Sequence, residues 1–184
     1  MKHDVSPHRT SVGRAALGPN GGAIQLVMNT MFVRHLVSVY RAFGGDLVAA
    51  IVLGEVAHHN VAPVIGSAHT PRELADALRG KGRSLPRTTF LPTNSFSIAQ
   101  ATGIPRETVR RKVASLTRQG WIAKDADGNL FVEASAETAF AAFNVERLTD
   151  LVETSEAIQS LLSEERPTTR SRGKHLKRPG CTSS

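Results

Sequence analysis

The sequence predicts a mainly α-helical protein carrying one β-hairpin, and three features predict it. Long apolar stretches with helical spacing occupy 22–43 and 46–60. Two short helices separated by a glycine turn are encoded in 97–118. Between residues 121 and 132, two short apolar runs flank the loop Asp125-Ala126-Asp127-Gly128-Asn129, which is the pattern of paired strands.

Taken in order, residues 1–21 are rich in Ser, Pro, Gly and His with little periodic apolar content, and a disordered arm is expected there. From Gly22 to Phe43 apolar side chains fall on more than one face, as in a helix packed in a core or a subunit interface, and Gly44-Gly45 stops it. The packing or dimerisation helix is therefore assigned to 22–45. Asp46 caps LVAAIVLGEVAHHN, a strongly apolar helix expected to lie beneath the two short ones. Thr70-Pro71-Arg72-Glu73 is a capping box with proline at the first helical position, so a short helix should run to about Arg79. It belongs to an insertion, 61–95, that also holds the basic stretch Arg79-Gly80-Lys81-Gly82-Arg83. That stretch suits a grip on phosphate or a solvated loop, and both readings stand.

The first short helix, SIAQAT, opens with Ser97, whose hydroxyl can cap free N–H groups, and Ala99 and Ala101 supply small residues where a partner helix crosses. Gly103 follows where the chain reverses, a place that often needs positive φ, and Pro105 suits the first position of a new helix. In that second helix Val109, Val113 and Leu116 fall at i, i+4 and i+7, with Glu107, Arg111, Ala114 and Arg118 on the opposite side. Gly120 ends it, Trp121-Ile122 begins a strand, and Leu130-Phe131-Val132 returns beside it. Helix, turn, helix and hairpin together are the plan of a winged helix-turn-helix, assigned to 46–134.

Such a helix presents its N-terminal end to the major groove, where the guanidinium forks of Arg106 and Arg110 can pair with guanine O6 and N7. Glu107 is repelled by phosphates unless it accepts from a cytosine N4 or orients a neighbouring arginine, so its presence favours sequence-specific contact. Lys124, beside the hairpin loop, can touch phosphate, although Asp125 and Asp127 weaken that field; the wing is expected to be structural support first.

Ile98-Ala99-Gln100 through Gly103, followed by Arg106-Glu107-Thr108-Val109 and Arg111, resembles the DNA-binding segment of the cyclic-AMP receptor protein family of bacterial transcription regulators, and more loosely other winged-helix repressors. The resemblance implies base contacts for Arg106, Glu107 and Arg111 and a phosphate contact for Thr108. It covers roughly a fifth of the chain. Residues 1–90 hold no run of strands with a glycine-rich phosphate cassette, so no cyclic-nucleotide domain or ligand is carried over. The expected base-reading set is therefore Arg106, Glu107, Arg110 and Arg111, with Ser97, Thr108, Ser115, Arg118 and Lys124 on the DNA backbone.

After the hairpin, Ser135 can cap a long helix through about Ser163 whose seam includes Phe140, Phe143, Leu148, Leu151 and Ile158. Half of the sixteen acidic residues lie between Glu133 and Glu165, where Arg147 is the only basic one, so this helix should stand away from DNA. The expectation is a C-terminal dimerisation helix over 135–165, partnered by the N-terminal helix of the same or a second subunit. A homodimer would set two reading helices about 34 Å apart on a palindromic double-stranded site. The segment 166–184 carries six basic residues between Arg166 and Arg178 and is expected to be a disordered tail that adds salt-sensitive affinity or only solubility.

Composition bounds the alternatives. With 184 residues and 40% hydrophobic content the chain can bury one ordinary core. Neither a membrane-length apolar run nor a secretory signal core is read, which leads to a cytoplasmic, nucleoid-associated expectation. The single cysteine, Cys181, permits no intrachain disulfide and no thiolate cluster. His58 and His59 point about 100° apart on a helix and, with His35 and His69, lack acidic or cysteine companions at ligand spacing, so no metal and no cofactor is expected. A net charge of +7 suits a polyanionic partner without choosing among them. No nucleophile–base pair, paired carboxylates or phosphate-binding glycine loop is evident, so no enzyme is expected. The leading expectation is a sequence-specific, dimeric transcription regulator. A plasmid or phage replication-initiation or partition protein, and a winged-helix protein-interaction module, are the alternatives; a small-molecule effector stays unassigned.

Overall fold

A computed structural model describes residues 18–68, 70–79 and 87–163, so the expectations for the N-terminal arm up to residue 17, the basic stretch at 80–86 and the tail from residue 164 lie outside the described residues. The described chain is mainly α with one two-stranded antiparallel sheet. Its elements are α1 (Gly21–Ala42), α2 (Leu47–Ser67), α3 (Pro71–Arg79), α4 (Ser95–Thr102), α5 (Arg106–Arg118), β1 (Ile122–Lys124), β2 (Leu130–Val132) and α6 (Ala134–Ser163), with a 3-10 turn at Arg87–Thr89.

The core forms around α2. Val52 and Val56 are fully buried and, with Ala49 and Leu53, pack against Ile98 of α4, Val109 and Leu116 of α5, and Ile122 and Leu130 of the hairpin. Asp46 caps α2 by accepting from the Ala49 amide at 3.0 Å. The sequence reading ended this helix at Asn60, but it continues to Ser67 with Pro63 inside. Proline forfeits one helical hydrogen bond, yet the buried positions Val56, Asn60 and Val64 carry the same inward stripe past it, and packing outweighs the local preference. One further expectation is corrected here. At 21 residues α2 is long and apolar enough to cross a membrane by length and composition, a test that the core helix of a globular fold also passes.

A polar side chain holds the hairpin to α2. Asn60 is fully buried; its Nδ2 donates to the carbonyls of Leu91 at 2.9 Å and Leu130 at 3.1 Å, and its Oδ1 accepts from the Val132 amide at 2.8 Å. Leu130 also donates its amide to Thr93 at 2.7 Å, so the segment entering α4 pairs with β2 on the side away from β1. Within the sheet Ile122 faces Val132 and Lys124 faces Leu130. Asp125 closes the loop by accepting from the Asn129 amide and side chain at 2.8 and 2.9 Å, and these bonds from Asn129 lower its carboxyl pKa although burial opposes them.

α1 and α6 run antiparallel. Asn20 donates to the Leu161 carbonyl at 2.9 Å at one end of the pair, and Phe43 stacks on Phe140 at 4.8 Å at the other. Trp121 meets both rings edge-on, at 5.9 and 4.9 Å, which joins the helix pair to the root of the hairpin. Ser135 does not cap α6. Its hydroxyl donates to the carbonyl of Gly120, which is left without a helical partner where α5 ends, and α6 is already helical from Ala134.

Candidate nucleic-acid interface

The turn between α4 and α5 is set by local chemistry. Gly103 ends α4 at φ 71°, a left-handed conformation that a side chain resists, and returns its amide to the Ala99 carbonyl at 3.0 Å. The start of α4 differs from the sequence reading. Asn94 is the cap, accepting from the Phe96 and Ser97 amides at 3.0 Å each, and Ser97 is a half-buried residue of the first turn. Pro105 stands one place earlier than expected: it is the residue before the helix, with ψ 133°, and its carbonyl accepts the first helical bond from Val109 at 3.1 Å. At the far end Gly120, at φ 74°, closes α5 by donating to Thr117 while Trp121 donates to Leu116, both at 3.0 Å.

Because Val109 and Leu116 are fully buried, the other side of α5 is held toward solvent. Arg106, Glu107, Arg110, Arg111 and Arg118 are all exposed, while Thr108 and Ser115 are half-buried at the edges of that face. Lys124 is exposed on the hairpin. On α5, Arg111 and Arg118 lie with the carboxylate of Glu107 opposite the buried stripe, and Arg106 and Arg110 are exposed on the flank of that face.

Geometry separates the arginines. Arg110 donates from Nε and Nη2 to the two carboxylate oxygens of Glu107, both at 2.9 Å, a two-point pair between fully solvated groups. That hydrogen bond from Arg110, helped by the charge of Arg111 and opposed by slight desolvation, lowers the Glu107 pKa. One edge of the Arg110 fork is therefore occupied, whereas Arg106 lies over the ring of Phe96 at 5.6 Å, steadied from α4. Glu107→Ala is expected to free Arg110 and remove a repelling charge. Fluorescence anisotropy should then show several-fold tighter binding to random duplex and a salt dependence steeper by about one phosphate contact. An unchanged slope would remove Glu107 from the interface.

Two contacts that link distant parts of the chain were missed by reading the sequence. Lys112, on the flank of α5, donates to Asp46 at 2.6 Å and so fixes α5 against the start of α2. Arg87 lies 4.3 Å over the Phe131 ring and 3.4 Å from Glu133, bringing the end of the 61–95 insertion onto the hairpin. The i, i+3 spacing of Glu107 and Arg110 was the one signal available for an ion pair; the other two join residues 66 and 46 apart in sequence.

Burial would push the Asp46 carboxyl up, but Lys112 and the Ala49 amide hold it below its usual value. A depressed folded pKa means that this stabilisation is complete above the usual carboxylate range, near pH 4, and is lost as pH falls through the lower folded value. Asp46→Ala is expected to cost about 1 kcal/mol at pH 7 through the lost cap alone. Urea unfolding at a series of pH values should show that gap shrinking below about pH 4; a gap that widens in acid would reverse the assignment.

Among the described residues no group of three or more His, Cys, Asp or Glu is placed to hold a metal ion. Comparison with protein-family models, curated proteins and solved structures finds no match for this chain.

Proposed function

We propose that this chain is a sequence-specific, double-stranded-DNA-binding transcription regulator, acting as a dimer at the bacterial nucleoid. In this reading α4, the Gly103 turn and α5 form a helix-turn-helix, β1 and β2 form its wing, and α5 enters the major groove. Arg106 and Arg111 read bases with open forks, Glu107 and Arg110 read as a coupled pair, and Ser97, Thr108, Ser115, Arg118 and Lys124 set the frame on phosphates. The observation that carries the reading is that Arg111 and Arg118 are exposed on the side of α5 opposite fully buried Val109 and Leu116, with Arg106 and Arg110 exposed on its flank toward the N-terminal end. Base-edge recognition needs that combination: a rigid, packed back and long hydrogen-bonding side chains in front.

The test is selection of bound fragments from a random DNA pool, followed by footprinting. Enrichment of a motif with two related half-sites is the expected result. Enriched arrays of repeats would instead favour replication initiation or partition, and a pool with no enriched sequence overturns base reading.

A further inference from the structure

Two arginines near the N-terminal end of α5 are held in different ways. Glu107 takes two donors of Arg110, Nε and Nη2, and sets a negative charge beside them. Arg106 is held by an aromatic face: its guanidinium carbon lies 5.6 Å from the centre of the Phe96 ring. The difference matters for reading a base. A carboxylate neighbour occupies donors and offsets charge, whereas a ring attracts the cation through its negative face and leaves all five N–H donors free. A ring therefore steadies a guanidinium without occupying any group that makes a two-point base contact.

The ring stands on a fixed support. Phe96 is the second residue of α4, and its amide donates to the Asn94 cap at 3.0 Å, which holds the first turn of the helix closed. Two residues on, Ile98 is 1% exposed in the core that it shares with Val109 of α5. That buried contact and the Gly103 turn set the spacing of the two helices, and with it the spacing of ring and guanidinium. Phe96 itself is 50% exposed and takes no part in the buried core.

We propose that Phe96 is a positioning residue for base recognition: its ring orders the Arg106 guanidinium before DNA arrives, so that α4 influences which sequence is read without itself reading a base. The inference rests on the DNA-binding reading of α5. A mobile arginine loses rotamer freedom on docking, and one already ordered loses less. Random duplex accepts the charge of Arg106 in any orientation, whereas a base edge accepts the fork in one. Phe96 thus acts on the choice among sequences and hardly at all on the general attraction to DNA.

The test is a double-mutant cycle on the full chain, read by anisotropy titration against the duplex that selection enriches and against random duplex. Phe96→Leu keeps an apolar side chain and removes the ring. It should weaken the enriched duplex roughly 2- to 5-fold, the scale of an exposed cation–π contact, and leave random duplex and the salt slope unchanged. Phe96→Tyr keeps the ring and should match wild type. In an Arg106→Ala background Phe96→Leu should have no further effect, whereas in an Arg111→Ala background its full effect should remain. Selection repeated with Phe96→Leu should relax the motif at the base pair where Arg106→Ala relaxes it and nowhere else.

Circular dichroism melts report whether each variant is folded, and Phe96→Met replaces Phe96→Leu if the latter is not. Equal losses on both duplexes, or a loss that persists beside Arg106→Ala, would make the ring a support of the fold or a DNA contact of its own and overturn the inference. A wild type that enriches one sequence, bound equally well by Phe96→Leu, defeats the inference alone. A wild type that enriches no sequence defeats the DNA reading itself, and the role of Phe96 falls with it.

Discussion

Arg111→Ala is expected to weaken binding to a selected operator by roughly 5- to 150-fold, the ~1–3 kcal/mol carried by a two-point arginine–base contact, while binding to random duplex falls only a few-fold. The asymmetry comes from what each DNA asks of the side chain. Random duplex uses the charge alone, which is one of several on α5. A chosen base uses the planar fork, and Arg111 projects from the face opposite Val113, 6% exposed, and fully buried Leu116, so its position is set by the core. Arg111→Lys separates the two contributions, because lysine keeps the charge and loses the fork; it should behave like alanine on the operator and like wild type on random duplex. Competition titrations at two salt concentrations measure both. Equal losses on both DNAs would contradict base reading by this residue.

The largest expected effect on stability comes from Asn60→Leu. The substitution is close in volume, so little cavity is created, but three backbone groups, one buried and two partly buried, lose the partner that Asn60 supplies: the carbonyls of Leu130 and Leu91 and the amide of Val132. Each unpaired buried group costs about 1–3 kcal/mol, and a total on the order of 3–5 kcal/mol is expected, partly relieved at Leu91, which is 42% exposed and can turn its carbonyl to water. Urea unfolding gives the total, and amide exchange at Val132 localises it, since the hairpin should open well before α5 does. A loss under about 1 kcal/mol would mean that Asn60 is a tolerated polar residue and does not tie the hairpin to α2.

The elements that were legible depended on near neighbours. Gly103 and Gly120 take positive φ because the chain must reverse within a few residues, and that demand is visible in the residues themselves. Asp46 caps α2 for the same reason, and the i, i+4, i+7 placement of Val109, Val113 and Leu116 marks their burial in advance. The errors also have local causes. Asn94, Ser95 and Ser97 are all capping types, and only the extended backbone at Asn94, φ −145° and ψ 168°, selects among them. Ser135 was assigned to its own helix, but a nearer need, the open carbonyl of Gly120, took its hydroxyl. Pro63 lies inside α2, and buried Val64 beyond it shows that a continuing core contact can override a missing hydrogen bond.

By itself, then, the amino-acid order determined the helices, their turns, the hairpin and which side of α5 carries arginine, because caps, glycine conformations and side-chain period act within one or two turns of chain. Only the tertiary structure decided that Asn60 binds β2, that Lys112 steadies α5 from Asp46, and that Arg87 reaches the hairpin. Those depend on the relative placement of elements distant in sequence, which is set by how buried surfaces fit together and is not encoded at any single position.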